Sequence, residues 1–181
     1  VNNVSNYLRI VLDQKQLNTT FSSTNGENVN LSGGVAIDFP SNAYVSNDGS
    51  SYNGDVNVFI NTISTEDNDF TMRIPGGDLS AINTNGENTR LYSYGMLNVV
   101  LTDNNGEEIN INNNTQISFP IPVDMISSAP NQIPLWYYNE TTGIWQEEGY
   151  AIKNGNLYEG NVTHFSNWNF DIPGEWGGIE G

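Results

Sequence analysis

The sequence contains no cysteine, only five lysine and arginine residues, and no long apolar run. The absence of cysteine excludes disulfides, thiolate metal sites and cysteine nucleophiles. A formal net charge of −16 argues against nucleic acid and anionic membranes as partners. No stretch reaches the roughly 18 apolar residues of a membrane helix, so we expect a protein that is not inserted in a membrane. Such a chain has to be stabilised by its own hydrophobic core.

What the sequence does contain is enough for that core. Hydrophobic residues make up 36% of the 181 residues and aromatic residues 11%. Alternation of apolar and polar residues is clearest at Asp55–Ile63, and Asn-Gly pairs supply the positive φ angles of tight hairpin turns. No window keeps helical periodicity. We therefore predict an all-β fold, a single β-sandwich of short, mainly antiparallel strands. The predicted strands of the first two thirds are Tyr7–Leu12, Val35–Phe39, Asp55–Ile63, Phe70–Ile74, Leu91–Leu101, Glu108–Ile111 and Gln116–Ile121, and Asp124–Ser128 is predicted as a short helical turn.

The last third carries the most distinctive pattern. Ile133–Tyr138 and Gly143–Glu148 predict an aromatic hairpin, and Ala151–Lys153 pairs with Leu157–Val162 about an Asn-Gly turn. A final strand is predicted over Val162–Asp171. It contains the one histidine of the chain, His164, followed directly by Phe165 and Ser166.

The order of these elements resembles the ZU5 domain, a β-sandwich, and is closest to bacterial surface modules of Bacteroidota type. The pieces that carry the resemblance are Gly33-Gly34 before Val35–Pro40, Gly54–Val58, Pro75–Leu79, Leu91–Leu101, Ala129-Pro130, Ile133–Trp136 and the closing His164-Phe165-Ser166.

The resemblance implies self-cleavage, because His-Phe-Ser is a self-cleavage site in some members of that family. The scissile bond would join Phe165 and Ser166. The Ser166 hydroxyl would attack the Phe165 carbonyl to form an ester, which water then hydrolyses, and His164 would be the general base. The competing interpretation is an ordinary strand, in which His164 and Ser166 share one face and Phe165 points into the core.

Two other kinds of site are compatible with the sequence. Trp136, Tyr138 and Trp145 could form a sugar-stacking platform, although aromatic hairpins are more often simply core. Oxygen-rich turns at Asn47-Asp48, Glu66–Asp69 and Asp103–Glu108 could hold Ca²⁺, with solvated turns as the favoured alternative. No other cofactor or metal is expected.

The sequence thus predicts three segments: an N-terminal arm or additional strands over residues 1–32, a ZU5-like sandwich over 33–171, and a glycine-rich linker over 172–181. We expect a monomeric module of a larger protein, secreted or on a bacterial cell surface. Its partners would be neighbouring domains of the same polypeptide, or a protein or glycan ligand. The function is either self-cleavage or passive adhesion, carbohydrate binding or spacing, and no enzyme acting on an external substrate is expected.

Overall fold

The structure is a computed structural model that describes residues 14–174. It contains one helical turn, α1 (Phe70–Arg73), and a 3-10 turn at Ser32–Gly34. The strands are β1 (Leu17–Ser22), β2 (Glu27–Asn30), β3 (Ala36–Phe39), β4 (Tyr44–Ser46), β5 (Asp55–Ser64), β6 (Ser80–Ile82), β7 (Asn88–Thr102), β8 (Glu108–Ile111), β9 (Thr115–Pro120), β10 (Gln132–Asn139), β11 (Ile144–Asn154), β12 (Leu157–Val162) and β13 (Asn167–Gly174).

The strands belong to one continuous sheet that folds over on itself. Its main path runs β1-β5-β7-β13-β10-β11-β12-β9-β3-β2, with β4, β6 and β8 attached beside it. Among the described strands, every pair is antiparallel except β6 with β11. The prediction of an all-β, sandwich-like fold is confirmed.

The main core lies between the two layers of the folded sheet. Aromatic pairs join the layers: Tyr94 in β7 meets Tyr158 in β12 with ring centroids 5.3 Å apart, and Phe119 in β9 stacks on Phe170 in β13 at 5.1 Å. Gly95 has a φ of 140°, and a Cβ there would lie 2.3 Å from the Phe119 ring. The layers can therefore approach this closely only because β7 carries no side chain at that point.

A second, smaller core forms where β6 closes a ring of strands. β6 pairs with β7 on one side and with β11 on the other, and β7, β13, β10 and β11 are successive neighbours in the sheet. The buried apolar side chains of this cluster come mostly from ring strands, and half-buried Phe70, Ile74 and Leu79 pack against them. The buried members are Ile63, Ala81, Leu91, Met96, Trp136 and Trp145.

The structure differs from the sequence-based expectations at three segments. Phe70–Arg73 forms α1 rather than a strand. Two overlapping turns, rather than a helix, replace the predicted helical turn at Asp124–Ser128. The last strand begins at Asn167, so His164, Phe165 and Ser166 precede it.

The N-terminal part of the described chain contributes to the sheet. β1 pairs with β5, and β2 pairs with β3. Residues 17–30 are therefore additional strands, one of the two options that the sequence left open. The predicted strand Tyr7–Leu12 lies outside the described residues. Of the linker predicted over 172–181, residues 172–174 are instead the end of β13, and residues 175–181 lie outside the described part.

Candidate functional site

The segment that holds His164, Phe165 and Ser166 crosses from one layer of the sandwich to the other. β12 ends at Val162 beside β9, and β13 begins at Asn167 beside β7. Phe165 fills the core at this crossing: its side chain is 8% exposed and its ring lies 5.4 Å from that of Phe39. The crossing thus needs a large apolar side chain at its centre.

The side-chain amide of Asn110 holds the backbone of Phe165 in place. Asn110 Oδ1 accepts a hydrogen bond from the Phe165 N–H at 2.8 Å, and Asn110 Nδ2 donates to the Phe165 carbonyl at 3.4 Å. Asn110 lies in β8, which β4 fixes on its other side. No sequence pattern indicates this contact, because the two residues are 55 positions apart along the chain.

Substituting Asn110 with alanine should lower the free energy of unfolding by about 1–3 kcal/mol, because two buried backbone groups of Phe165 lose their partner. Urea unfolding followed by tryptophan fluorescence measures the change. Asn112→Ala, at an exposed position whose side chain makes no hydrogen bond within the described structure, is the matched control. Equal unfolding midpoints for the two variants would contradict a structural role for Asn110.

His164 is half-buried and packs against two aromatic side chains. Its ring centroid lies 4.9 Å from that of Tyr137 and 5.1 Å from that of Trp168. The indole Nε1 of Trp168 donates to the His164 carbonyl at 3.0 Å. His164 Nδ1 is buried, and no partner for it is found within residues 14–174. The imidazole is therefore held by ring packing, not by a hydrogen bond to a nucleophile.

Ser166 is half-buried and is not paired with His164 in the described structure. Its hydroxyl donates to the Asn167 carbonyl at 3.2 Å, and its own carbonyl accepts from the Val99 N–H at 3.3 Å. A general base must lie within hydrogen-bond reach of the proton that it removes. The three residues are adjacent at this corner, but the serine–histidine contact that nucleophilic attack requires is not formed.

The aromatic hairpin forms as predicted from β10 and β11, but its tryptophans face inward. Trp136 is 0% exposed and Trp145 is 1% exposed. Both pack in the second core, and half-buried Tyr138 packs there at a centroid distance of 5.4 Å from Trp145. Neither indole offers a face on which a sugar could stack, because β6 and the α1 segment cover this end of the hairpin.

Asp171 is a buried carboxylic acid beside these tryptophans. Its side chain is 0% exposed, and one carboxylate oxygen, Oδ2, accepts from Asn169 Nδ2 at 2.6 Å. The other oxygen, Oδ1, has no partner within the described residues. Burial raises the pKa of Asp171 well above the usual value, and the hydrogen bond from Asn169 offsets only part of that effect. Sequence reasoning missed this residue, since a lone aspartate at the end of a strand carries no pattern.

The turns considered for Ca²⁺ use their oxygens internally. Asp103 accepts from the N–H groups of Asn105 and Glu107, at 2.8 and 2.9 Å. Asp67 pairs with Arg73 at 3.1 Å. Within residues 14–174, no three histidine or acidic side chains come together as a metal-ligand set. Calcium binding stays a prediction that the geometry does not favour.

Comparison with known proteins identifies the family. A family model described as FAM171A1/A2/B, N-terminal, matches residues 37–161. The chain belongs to this FAM171 N-terminal family. It is also 30% identical over 120 residues to cartilage intermediate layer protein 1 of Sus scrofa, an alignment that covers 62% of this chain and 19% of that protein. The chain thus spans about a fifth of that relative's length, and no solved structure matches.

Membership of the FAM171 family corrects the assignment to ZU5 and to bacterial surface proteins. Part of that resemblance consists of glycines and prolines between strands, such as Gly33-Gly34 and Pro75-Gly76, which any antiparallel sandwich needs. The FAM171 match also ends at Asn161, before His164. The family therefore gives no support to a self-cleaving His-Phe-Ser motif.

Helices in residues 14–174 are all too short to cross a bilayer.

Proposed function

We propose that this chain is a non-catalytic module of a larger extracellular protein, with a binding or spacing role. The observation that carries the proposal is the state of the Phe165–Ser166 peptide. Asn110 holds the Phe165 N–H and carbonyl, and the Ser166 hydroxyl donates to a neighbouring carbonyl. These groups act as structural supports of the crossing between the two layers.

The extracellular setting is inferred from the relatives and from the charge. One relative is named for a layer of cartilage, and most of its length lies outside the matched part. A formal charge of −16 keeps a module soluble and disfavours contact with other polyanions. Because the chain has no cysteine, no disulfide stabilises the folded state. Its stability depends on the packing of the two hydrophobic cores.

Self-cleavage between Phe165 and Ser166 is the alternative, and one contact favours it. Asn110 Nδ2 points at the Phe165 carbonyl, where an oxyanion would develop on attack by the Ser166 hydroxyl. The distance of 3.4 Å is long for a donor that must stabilise charge, and His164 makes no contact that would activate Ser166. The geometry therefore supports the structural role better.

A denaturing intact-mass spectrum separates the two functions. After prolonged incubation at neutral pH, we expect a single intact species of 20.0 kDa for the protein. The Ser166→Ala variant should likewise show only its intact chain. Two fragments whose masses sum to the intact chain plus one water, absent from the Ser166→Ala variant, would establish self-cleavage and overturn the non-catalytic assignment.

A further inference from the structure

A depression of about 440 Å³ lies on the outer face of β9, β11 and β12. Tyr150 and Ile152 on β11 form one side, and their side chains are 58% and 44% exposed. Gln116 on β9 forms the other side, with Glu159 and Asn161 of β12 between them. The register places Asn161 opposite Gln116, so these two amides project from the same face.

The depression continues the hairpin face that the tryptophans occupy. Pro134 pairs with Tyr150 and Trp136 pairs with Glu147, with a bulge between the two pairs. Cross-strand partners share a face, and so do alternate residues of one strand, so Trp136 and Tyr150 belong to the same face of the hairpin. Side chains of residues 70–79 pack against Trp136 and Trp145, whereas Tyr150 and Ile152 stay open to solvent.

The polar groups around the depression are available to a ligand. Within residues 14–174, the amides of Gln116 and Asn161 and the hydroxyl of Tyr150 make no side-chain hydrogen bond, and Glu159 accepts only from Asn154. An amide both donates and accepts, so two amides and a carboxylate offer hydrogen bonds of both kinds. An exposed tyrosine ring between them adds an apolar face with a polar tip.

We propose that this depression binds a neutral oligosaccharide, with the Tyr150 ring stacked on a sugar ring and the Gln116 and Asn161 amides bonded to its hydroxyls. Sugar rings combine an apolar C–H face with neighbouring donor and acceptor hydroxyls, which matches this lining. No lysine or arginine lines the depression, and Glu159 and the net charge of −16 repel sulfated or carboxylated glycans. This inference names a ligand for the module role proposed above.

The test uses the whole chain and defined sugars. Neutral hexasaccharides of glucose, xylose and mannose, and anionic hyaluronan and chondroitin sulfate fragments, are titrated at concentrations up to about 1 mM. We expect at least one neutral hexasaccharide to bind and the anionic fragments not to bind. Tyr150→Ala should weaken binding about tenfold or more, Gln116→Ala and Asn161→Ala several-fold, and Tyr150→Phe only slightly.

Tyr92→Ala is the matched control, because Tyr92 is a 62% exposed tyrosine on β7, outside the depression. Its binding should equal that of the unmodified protein. The proposal is overturned if no neutral hexasaccharide binds, if the anionic fragments bind equally well, or if Tyr150→Ala binds as Tyr92→Ala does. The mass spectrum of the chain is independent of these titrations, so failure of the sugar site and failure of the non-catalytic assignment are distinguishable.

Discussion

Replacing Asp171 with asparagine should stabilise the folded protein at pH 7 by about 2 kcal/mol, since the folded state would no longer bury an ionisable group. Asparagine has nearly the same shape as the protonated acid and can still accept from Asn169 Nδ2, the contact that Asp171 Oδ2 now makes. Most substitutions of buried residues destabilise a protein. An increase in stability here would therefore identify the carboxyl group itself as the source of the cost.

The size of this effect should depend on pH in a known direction. Burial raises the pKa of Asp171 in the folded state above the 3.8 expected when it is unfolded. Well below pH 3.8 both states are protonated, and the unmodified protein and Asp171→Asn should be about equally stable. As the pH rises from 3.8 towards the raised pKa, the unfolded state releases its proton first, so the unmodified protein loses stability relative to the variant.

Thermal or urea unfolding of both proteins between pH 3 and pH 8 measures this difference. Asp124→Asn is the control, since Asp124 is exposed and its substitution removes the same charge from the surface. Its stability should stay close to that of the unmodified protein at every pH. A midpoint for Asp171→Asn below that of the unmodified protein at pH 7 would mean that the carboxylate is stabilised by contacts stronger than those described.

Substituting Trp136 with alanine should cost about 3–5 kcal/mol, a large share of the stability of a domain of this size. Trp136 is completely buried, and its Nε1 donates to the Asp171 carbonyl at 3.1 Å. The substitution leaves a cavity in the second core and removes this hydrogen bond to the Asp171 carbonyl. Trp136→Phe keeps an aromatic ring at this position, and its stability should lie between that of Trp136→Ala and that of the unmodified protein.

Differential scanning calorimetry provides the measurement. At about 2–4 °C per kcal/mol for a chain of this length, Trp136→Ala should lower the melting temperature by roughly 6–20 °C. The exposed Tyr92→Ala variant should melt close to the unmodified protein. A Trp136→Ala variant with an unchanged melting temperature would show that the indole is not packed in a core and would restore it as a candidate ligand platform.

The fold class could be predicted because alternation and turn chemistry are local. Asp55–Ser64 shows apolar and polar residues in alternation, and the strand forms there. Asn154-Gly155 lies at the turn between β11 and β12, as its positive-φ preference requires. Short β6 could not be predicted, since three residues are too few to show a period. A strand was predicted where α1 forms, because the packing of this helical turn against the second core is a tertiary contact that local sequence does not show.

The candidate site was harder to predict because its partners are distant in sequence. Burial of Trp136 depends on β6 and on the segment after β5, which the hairpin's own pattern does not reveal. The contact of Asn110 with Phe165 likewise joins β8 to the segment between β12 and β13, which is distant in sequence. Local sequence correctly predicted that these aromatic residues form a hairpin. Tertiary packing decides which of them are exposed to solvent, and Tyr150 is exposed at the depression.

The position of β13 has a consequence for how the chain is made. It is the last strand described, yet in the sheet it lies between β7 and β10. Until Asn167–Gly174 leaves the ribosome, the facing edges of β7 and β10 lack this partner, and among the described strands only β6 joins those on the two sides. The sandwich can then close only after synthesis of these residues, and a chain truncated before them would expose two unpaired strand edges, the usual starting point of aggregation.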